Sequence, residues 1–99
     1  MGTDQMGRLE KKIALVTGAG TGFGRAISLE FGLQGAHVFA SDRDDDSNNE
    51  TAKLIEEAGG SATPLHLDVC EVEDIAAALS SIGQAHGRLD ILVNNAGIT

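Results

Sequence analysis

Four glycines at alternating positions, Gly18, Gly20, Gly22 and Gly24, constrain the fold of this 99-residue chain more than any other feature. They follow a short apolar run at residues 13–16, whose β-branched content is typical of a strand buried on both faces of a parallel sheet. Because glycine has no Cβ, the backbone can turn sharply here and an anion can approach the N–H groups of a following helix. The stretch therefore predicts a strand, a phosphate-binding turn and the start of a helix.

The spacing of the glycines separates several kinds of turn. A P-loop is excluded because no lysine and hydroxyl residue follow Gly24. Gly18 and Gly20 begin the usual dinucleotide fingerprint, but Phe23 stands at the place of its third glycine. The spacing that fits is Thr17-Gly18-x-x-x-Gly22-x-Gly24. A glycine-rich turn without a ligand is the alternative, although one glycine would suffice for such a turn.

Strand and helix patterns alternate along the rest of the chain. Apolar runs predict strands at residues 13–16, 37–41, 62–67 and 89–93, with one helix between each pair. The short links imply right-handed crossovers and a parallel sheet in the order 3-2-1-4. The expected fold is thus α/β, the first half of a Rossmann-type doubly wound sheet.

Apolar spacing predicts which face of each helix is buried. In the first helix the apolar positions are Phe23, Ile27 and Phe31, with Arg25 and Ser28 facing outward. The second helix is expected to start with a capping box at residues 47–50 and to bury three side chains, those of Ala52, Ile55 and Ala58. The third helix carries an apolar stripe of Val72, Ile75, Ala76 and Leu79.

Asp42 ends the second predicted strand, about 20 residues beyond the glycines. A carboxylate at this place in a dinucleotide-binding fold accepts hydrogen bonds from the adenosine ribose hydroxyls. The acidic run that begins here is not an EF-hand loop, because it lacks the turn glycine and the bidentate glutamate. We therefore expect a nucleotide site and no metal site.

The composition of the chain limits the kinds of partner that it is expected to bind. The net charge of −8 and the absence of a basic cluster argue against nucleic acid and against an anionic membrane surface. No apolar run approaches the ~20 residues of a membrane span, and the amino terminus lacks the apolar segment of a signal peptide. The single cysteine excludes an internal disulfide. A cytoplasmic protein is expected, with a frayed tail at residues 1–7.

Together with Asp42, Asp68-Val69 and Asn94-Asn95-Ala96-Gly97, the glycine motif makes residues 8–99 resemble the amino-terminal half of a short-chain dehydrogenase/reductase. The resemblance implies that the turn surrounds the pyrophosphate and the nicotinamide-side ribose, through Gly18, Gly20, Thr21, Gly22, Phe23 and Gly24. It also implies that Asp68 and Val69 contact adenine, and that Asn95, Ala96 and Gly97 lie beside the adenosine half. Phe23 departs from the family, which more often has isoleucine there.

Charge favours NAD over NADP as the cofactor. The 2′-phosphate of NADP would meet the Asp42 carboxylate, and like charges about 4 Å apart at an effective dielectric near 20 repel by about 4 kcal/mol. Arg43 could offset part of this repulsion or bind a phosphate.

The resemblance further implies an oxidoreductase that transfers hydride between NAD(P) and a small alcohol or carbonyl substrate, and a homo-oligomer. The family's catalytic serine, tyrosine and lysine follow the Asn-Asn-Ala-Gly motif, and this chain has no tyrosine. We therefore expect residues 8–99 to be a cofactor-binding domain that is incomplete at its carboxyl end and inactive alone. Two alternatives stay open, an S-adenosylmethionine-dependent methyltransferase fold and a non-catalytic nucleotide-sensing module.

Overall fold

Strands and helices alternate through the part of the chain that the computed structural model describes, residues 7–96. The elements are β1 (Ile13–Thr17), α1 (Gly22–Leu33), β2 (His37–Asp42), α2 (Asp45–Glu57), β3 (Ser61–His66), α3 (Val72–His86) and β4 (Ile91–Asn94). The strands form one parallel sheet in the order β3-β2-β1-β4, which confirms the predicted topology. The tail expected at residues 1–7 lies outside the described residues except for Gly7, and so does Gly97.

The strand register brings several carboxyl ends together at one edge of the sheet. Thr17 at the end of β1 pairs with Ser41 on one side and with Asn94 on the other. Asp42 pairs with His66 at the end of β3. Because all strands are parallel, the segments that follow them leave the sheet at this edge, which places the glycines near Asp42 and Asn95.

Both faces of β1 are buried, as its apolar run predicts. Ala14 and Val16 belong to a core that also contains Ile55 of α2, whereas Leu15 packs with Phe39 and with Ile82 of α3. Helices α1 and α2 thus cover one face of the sheet and α3 lies on the other. None of the helices within residues 7–96 combines the length and the apolar character of a membrane-spanning segment.

The predicted buried face of α1 is partly wrong. Phe23 is 82% exposed, and the buried positions are Gly24, Ser28 and Gly32. Small residues four apart let the helix approach the sheet closely, and the Ser28 hydroxyl is satisfied by donating to the Gly24 carbonyl at 2.7 Å. Phe31 packs at the border of the core, as expected.

The predicted start of α2 is also wrong. Its N-cap is Asp44, whose carboxylate accepts the backbone N–H of Ser47, and the helix begins at Asp45. Asp44 is as good an N-cap as serine, and acidic residues in the first turn suit the helix dipole. Ala58 is exposed because it lies beyond the last helical residue, while Ile55 is buried as predicted.

The apolar stripe of α3 does not face the core. Ala78 and Ile82 are the buried residues of this helix, whereas Ile75 and Leu79 border an open cavity of about 210 Å³ next to Leu92 of β4. The helix rests on the sheet through one narrow face, so the rest of its apolar surface stays accessible. Leu92 is itself 59% exposed, and within residues 7–96 no strand pairs with the outer edge of β4.

Candidate functional site

A crevice of about 400 Å³ lies at the carboxyl ends of the strands. Its lining combines the turn after β1, the ends of β2 and β3 and the turn after β4, and consists of Gly18, Thr21, Asp42, Arg43, Leu67, Asp68, Val69, Cys70, Asn95 and Ala96. Two of these, Leu67 and Cys70, were not predicted from the sequence, although each is adjacent to the Asp68-Val69 pair. Gly20, Gly22, Phe23 and Gly24 are not part of the lining.

Thr17 ties the glycine turn to the turn after β4. Its hydroxyl oxygen accepts the backbone N–H groups of Asn95 and Ala96, both at 3.0 Å. The Asn95 side chain in turn donates to the carbonyl of Gly18 at 3.2 Å. Gly18 has a φ of 65°, and a Cβ there would approach the amide nitrogens of Ala96 and of the Asn95 side chain to 3.0 Å. This role of Thr17 was not predicted from the sequence, because it depends on the pairing of β1 with β4.

Asp42 is held at the edge of the crevice by two backbone groups. Its Oδ2 accepts the N–H of Gly20 and its Oδ1 accepts the N–H of Asp44, both at 2.9 Å. A Cβ on Gly20 would lie 2.8 Å from Oδ2, so only glycine allows this approach. Each carboxylate oxygen keeps a lone pair for a further donor, which is what two neighbouring hydroxyl groups require.

The first turn of α1 offers free amide groups beside the crevice. Within residues 7–96, the N–H groups of Gly22, Phe23 and Gly24 have no hydrogen-bond acceptor. The N-cap Thr21 makes no side-chain cap bond, and no acidic residue occupies the first turn. These amides and the positive end of the helix dipole can therefore bind an anion.

Two of the glycines shape this helix start. Gly22 has a φ of 59°, which favours glycine, yet a Cβ there would meet nothing within 4 Å. At Gly24 a Cβ would lie 1.9 Å from the carbonyl oxygen of Gly18. The helix thus begins as close to β1 as backbone contact permits, and the space in front of Gly22 stays open.

A short loop after β3 forms the opposite wall. The Asp74 carboxylate of α3 accepts the N–H of Asp68 at 3.1 Å, and the Asp68 carboxylate accepts the N–H of Cys70 at 2.9 Å. His66 contacts Asp45 through Nδ1 at 2.7 Å and Asp74 through Nε2 at 3.7 Å. The hydrogen bond to Asp45 is the main cause that raises the pKa of His66 above its ordinary value. This imidazole therefore links α2, α3 and the loop.

The site combines groups that suit two parts of a nucleotide. Backbone amides at the start of α1 suit a phosphate, and the Asp42 carboxylate suits a pair of hydroxyl groups. Among residues 7–96, Arg43 is the only cationic side chain in the lining. No cluster of three or more His, Cys, Asp or Glu side chains that could hold a metal ion occurs in the described part of the chain.

A parallel sheet in the order 3-2-1-4, with a glycine turn between β1 and α1, defines the first half of a Rossmann-like nucleotide-binding fold. The sequence profile of the short chain dehydrogenase family matches residues 12–99. The chain belongs to this family.

Individual relatives agree with this assignment. The chain is 45% identical over 89 residues to the short-chain dehydrogenase/reductase homolog YusS of Bacillus subtilis, covering 89% of this chain and 82% of that protein. A crystal structure of a hydroxysteroid dehydrogenase from Escherichia coli superposes with a TM-score of 0.89 at 37% identity, over 96% of this chain and 40% of that one. A metagenomic short-chain oxidoreductase in complex with NADP gives a TM-score of 0.88 at 40% identity, over 92% and 41% of the two chains.

The lengths of the relatives differ. The chain spans 82% of YusS, but only 34% of two other curated relatives that it matches over 93 residues.

Proposed function

We propose that this chain binds NAD(H) in the crevice and is the cofactor-binding part of an oxidoreductase that transfers hydride between NAD(P) and an alcohol or carbonyl substrate. The bound nicotinamide would supply the hydride acceptor or donor. The observation that carries the proposal is the position of the Asp42 carboxylate, bonded to Gly20 and lining the same crevice as the turn before α1.

The pyrophosphate would lie against the first turn of α1. The free N–H groups of Gly22, Phe23 and Gly24 suit its oxygens, and the open space in front of Gly22 leaves room for it. The N–H of Gly20 is not available for this role because Asp42 already accepts it. Phe23 would thus contribute through its backbone rather than its exposed ring.

Asp42 favours NAD over NADP on physical grounds. Its oxygens can accept from both adenosine ribose hydroxyls, whereas a 2′-phosphate would meet a carboxylate that the Gly20 and Asp44 amides hold in place. Arg43 lies in the same lining and would offset part of that repulsion. The solved relative in complex with NADP shows that its own site accepts this dinucleotide.

The adenine would lie between the loop after β3 and the turn after β4. Asp68 and Val69 form one side, and Asn95 and Ala96 the other. The buried Leu67 and the neighbouring Cys70 extend the first side beyond the predicted pair.

Hydride transfer would need residues that this sequence does not contain. The chain has no tyrosine, so the tyrosine that the family resemblance implies would lie outside these 99 residues, and we propose that they have no activity alone. A second candidate function is nucleotide binding without catalysis. It is favoured by the match to YusS, a relative of similar length of which this chain covers 82%. Assaying the full-length protein for NADH-dependent carbonyl reduction separates the two candidates.

Fluorescence titration with NADH and NADPH tests the binding site directly. We expect the full-length protein to bind NADH more tightly than NADPH. In the Asp42→Ala variant, the ratio of the two dissociation constants should move closer to one. Asp46→Ala is the control, because this exposed carboxylate is not part of the crevice lining. An unchanged ratio in Asp42→Ala would contradict the proposed role of Asp42, and no binding of either dinucleotide would contradict the site itself.

A further inference from the structure

Thr51 connects helices α1 and α2 to the glycine turn after β1, although it does not line the crevice. Its side chain is fully buried on α2. Its hydroxyl oxygen lies 2.8 Å from the carbonyl of Ala19 and accepts the Nε–H of Arg25 at 2.9 Å. The same guanidinium donates through Nη2 to the carbonyl of Ser47 at 3.1 Å. Arg25, expected from the sequence to face outward, is therefore partly buried between α1 and α2.

The Ala19–Gly20 peptide group is the point at which this junction acts. Thr51 donates to its carbonyl oxygen, and its N–H, that of Gly20, donates to Oδ2 of Asp42 at 2.9 Å. The preceding N–H, that of Ala19, donates to the carbonyl of Ser41 at 2.9 Å. Because a peptide group is planar, a bond that fixes the direction of its carbonyl also fixes the direction of its N–H. Thr51 therefore helps to aim the Gly20 N–H at the Asp42 carboxylate.

Arg25 donates to the Thr51 oxygen, so the hydroxyl group has its single proton left to donate to a carbonyl. Two other carbonyls compete for it, that of Ser47 one helical turn earlier at 3.2 Å and that of Gly20 at 3.5 Å. A bond to the carbonyl four residues earlier is common for a helical threonine. Here Arg25 already donates to the Ser47 carbonyl and to the Thr51 oxygen itself. The Ala19 carbonyl, at 2.8 Å, is the nearest of the three acceptors for the Thr51 proton.

We propose that Thr51 and Arg25 are positioning residues for Asp42, and so for recognition of the adenosine ribose, through the Ala19–Gly20 peptide. The inference rests on the proposed function, because it assigns these residues to the same nucleotide site. It predicts that their loss changes the choice between two cofactors that differ only at the 2′ position, and not merely the stability of the fold.

The test compares Thr51→Val with Thr51→Ser in the full-length protein by titration with NADH and NADPH. Valine keeps the shape of threonine but removes the hydroxyl. We expect NADH binding to weaken by about three- to tenfold, which is the effect of losing one hydrogen bond. NADPH binding should weaken less, so the ratio of the two dissociation constants should move closer to one. Thr51→Ser keeps the hydroxyl and should retain the wild-type ratio.

Two further variants make the result specific. Thr63→Val is the matched control, because its hydroxyl contacts His37 at 2.9 Å and lies outside the crevice lining; we expect the wild-type ratio. Arg25→Lys keeps the positive charge but cannot donate to the Thr51 oxygen and the Ser47 carbonyl as a planar guanidinium does. It should therefore move the ratio of the dissociation constants closer to one, as Thr51→Val does. It also provides the test if Thr51→Val does not fold.

The outcomes separate this inference from the proposed function. An unchanged ratio in Thr51→Val and Arg25→Lys would overturn the inference while leaving the nucleotide site in place. Equal weakening of NADH and NADPH, together with a lower melting temperature, would show a structural role only and would also overturn it. A wild-type protein that binds neither dinucleotide would overturn the proposed function, and the inference with it.

Discussion

At the scale of single residues, the glycines that look alike in the sequence have different physical roles. Gly18 and Gly22 adopt positive φ angles, Gly20 makes room for the Asp42 carboxylate, and Gly24 touches the carbonyl of Gly18. Of these four glycines, only Gly22 has open space in front of it. The spacing of the motif could be predicted from the sequence, but these separate roles depend on the contacts across the turn.

Gly24→Ala should destabilise the protein by about 1–3 kcal/mol, the usual range for an overpacked site. A Cβ at this position would lie 1.9 Å from the Gly18 oxygen, so the start of α1 must move away from β1. The same movement should weaken NADH binding. Urea denaturation and NADH titration measure the two effects.

Gly83→Ala is the matched control for this substitution. Gly83 lies inside α3, and a Cβ there would meet nothing within 4 Å. Alanine should raise the stability by about 0.5–1 kcal/mol, because glycine loses more conformational freedom on folding. Equal effects of the two substitutions would contradict the contact assigned to Gly24.

At the scale of the elements, the order of the strands could be predicted but the faces of the helices could not. Continuous apolar runs such as Ile13–Val16 identify buried parallel strands, and the glycine motif identifies the β1–α1 connection. The prediction of the buried face of α1 failed because this helix approaches the sheet through small residues such as Gly24 and Ser28. These residues do not stand out in a pattern of hydrophobic positions. In α3, Ile75 fits a helical stripe and yet borders an open cavity.

The start of α2 gives a prediction at this scale. Asp44→Ala should destabilise the protein, because the carboxylate caps the helix by accepting the N–H of Ser47. Ser47→Ala should cost less, since serine is not the N-cap. Denaturation curves of the two variants decide between the observed start and the capping box predicted from the sequence, which requires the opposite order.

This capping bond should depend on pH. The hydrogen bond from the Ser47 N–H holds the pKa of Asp44 below its ordinary value. A depressed carboxyl pKa contributes stability above the unfolded value and loses it as pH falls through the folded value. The difference in stability between wild type and Asp44→Ala should therefore shrink below about pH 4.

The contribution of His66 to stability should depend on pH with the opposite sign. Its pKa is raised by the hydrogen bond to Asp45 and by the charges of Asp45, Asp74 and Asp68. A histidine with a raised pKa contributes stability that is fully present below its unfolded pKa, near 6.5, and is lost as pH rises through the folded value. His66→Gln should thus lower the melting temperature more at pH 5.5 than at pH 8.5.

NMR titration of the His66 ring checks this assignment independently. We expect its pKa to lie above that of an unpaired histidine and to fall toward it in the Asp45→Asn variant. His37 is the internal comparison, because burial is the main cause that lowers its pKa, and the nearby His86 lowers it further. A His66 pKa that does not respond to Asp45→Asn would contradict the contact between α2 and β3.

At the scale of the whole molecule, the chain brings three turns and one carboxylate to a single crevice. The sequence motifs predicted which segments meet there, because the carboxyl ends of parallel strands share one edge of a sheet. They did not reveal the side chains that hold the segments together, such as Thr17 between β1 and β4. Such links join residues about 78 positions apart, and no local pattern identifies them.

We propose that a dinucleotide lies across this edge, with its ribose at Asp42 and its pyrophosphate at the start of α1. The decisive measurement is a crystal structure of the full-length protein soaked with NADH. We expect adenosine ribose hydroxyls within hydrogen-bond distance of both Asp42 oxygens, and pyrophosphate oxygens at the amides of Gly22 to Gly24. A dinucleotide bound elsewhere, or a crevice filled by side chains, would contradict it.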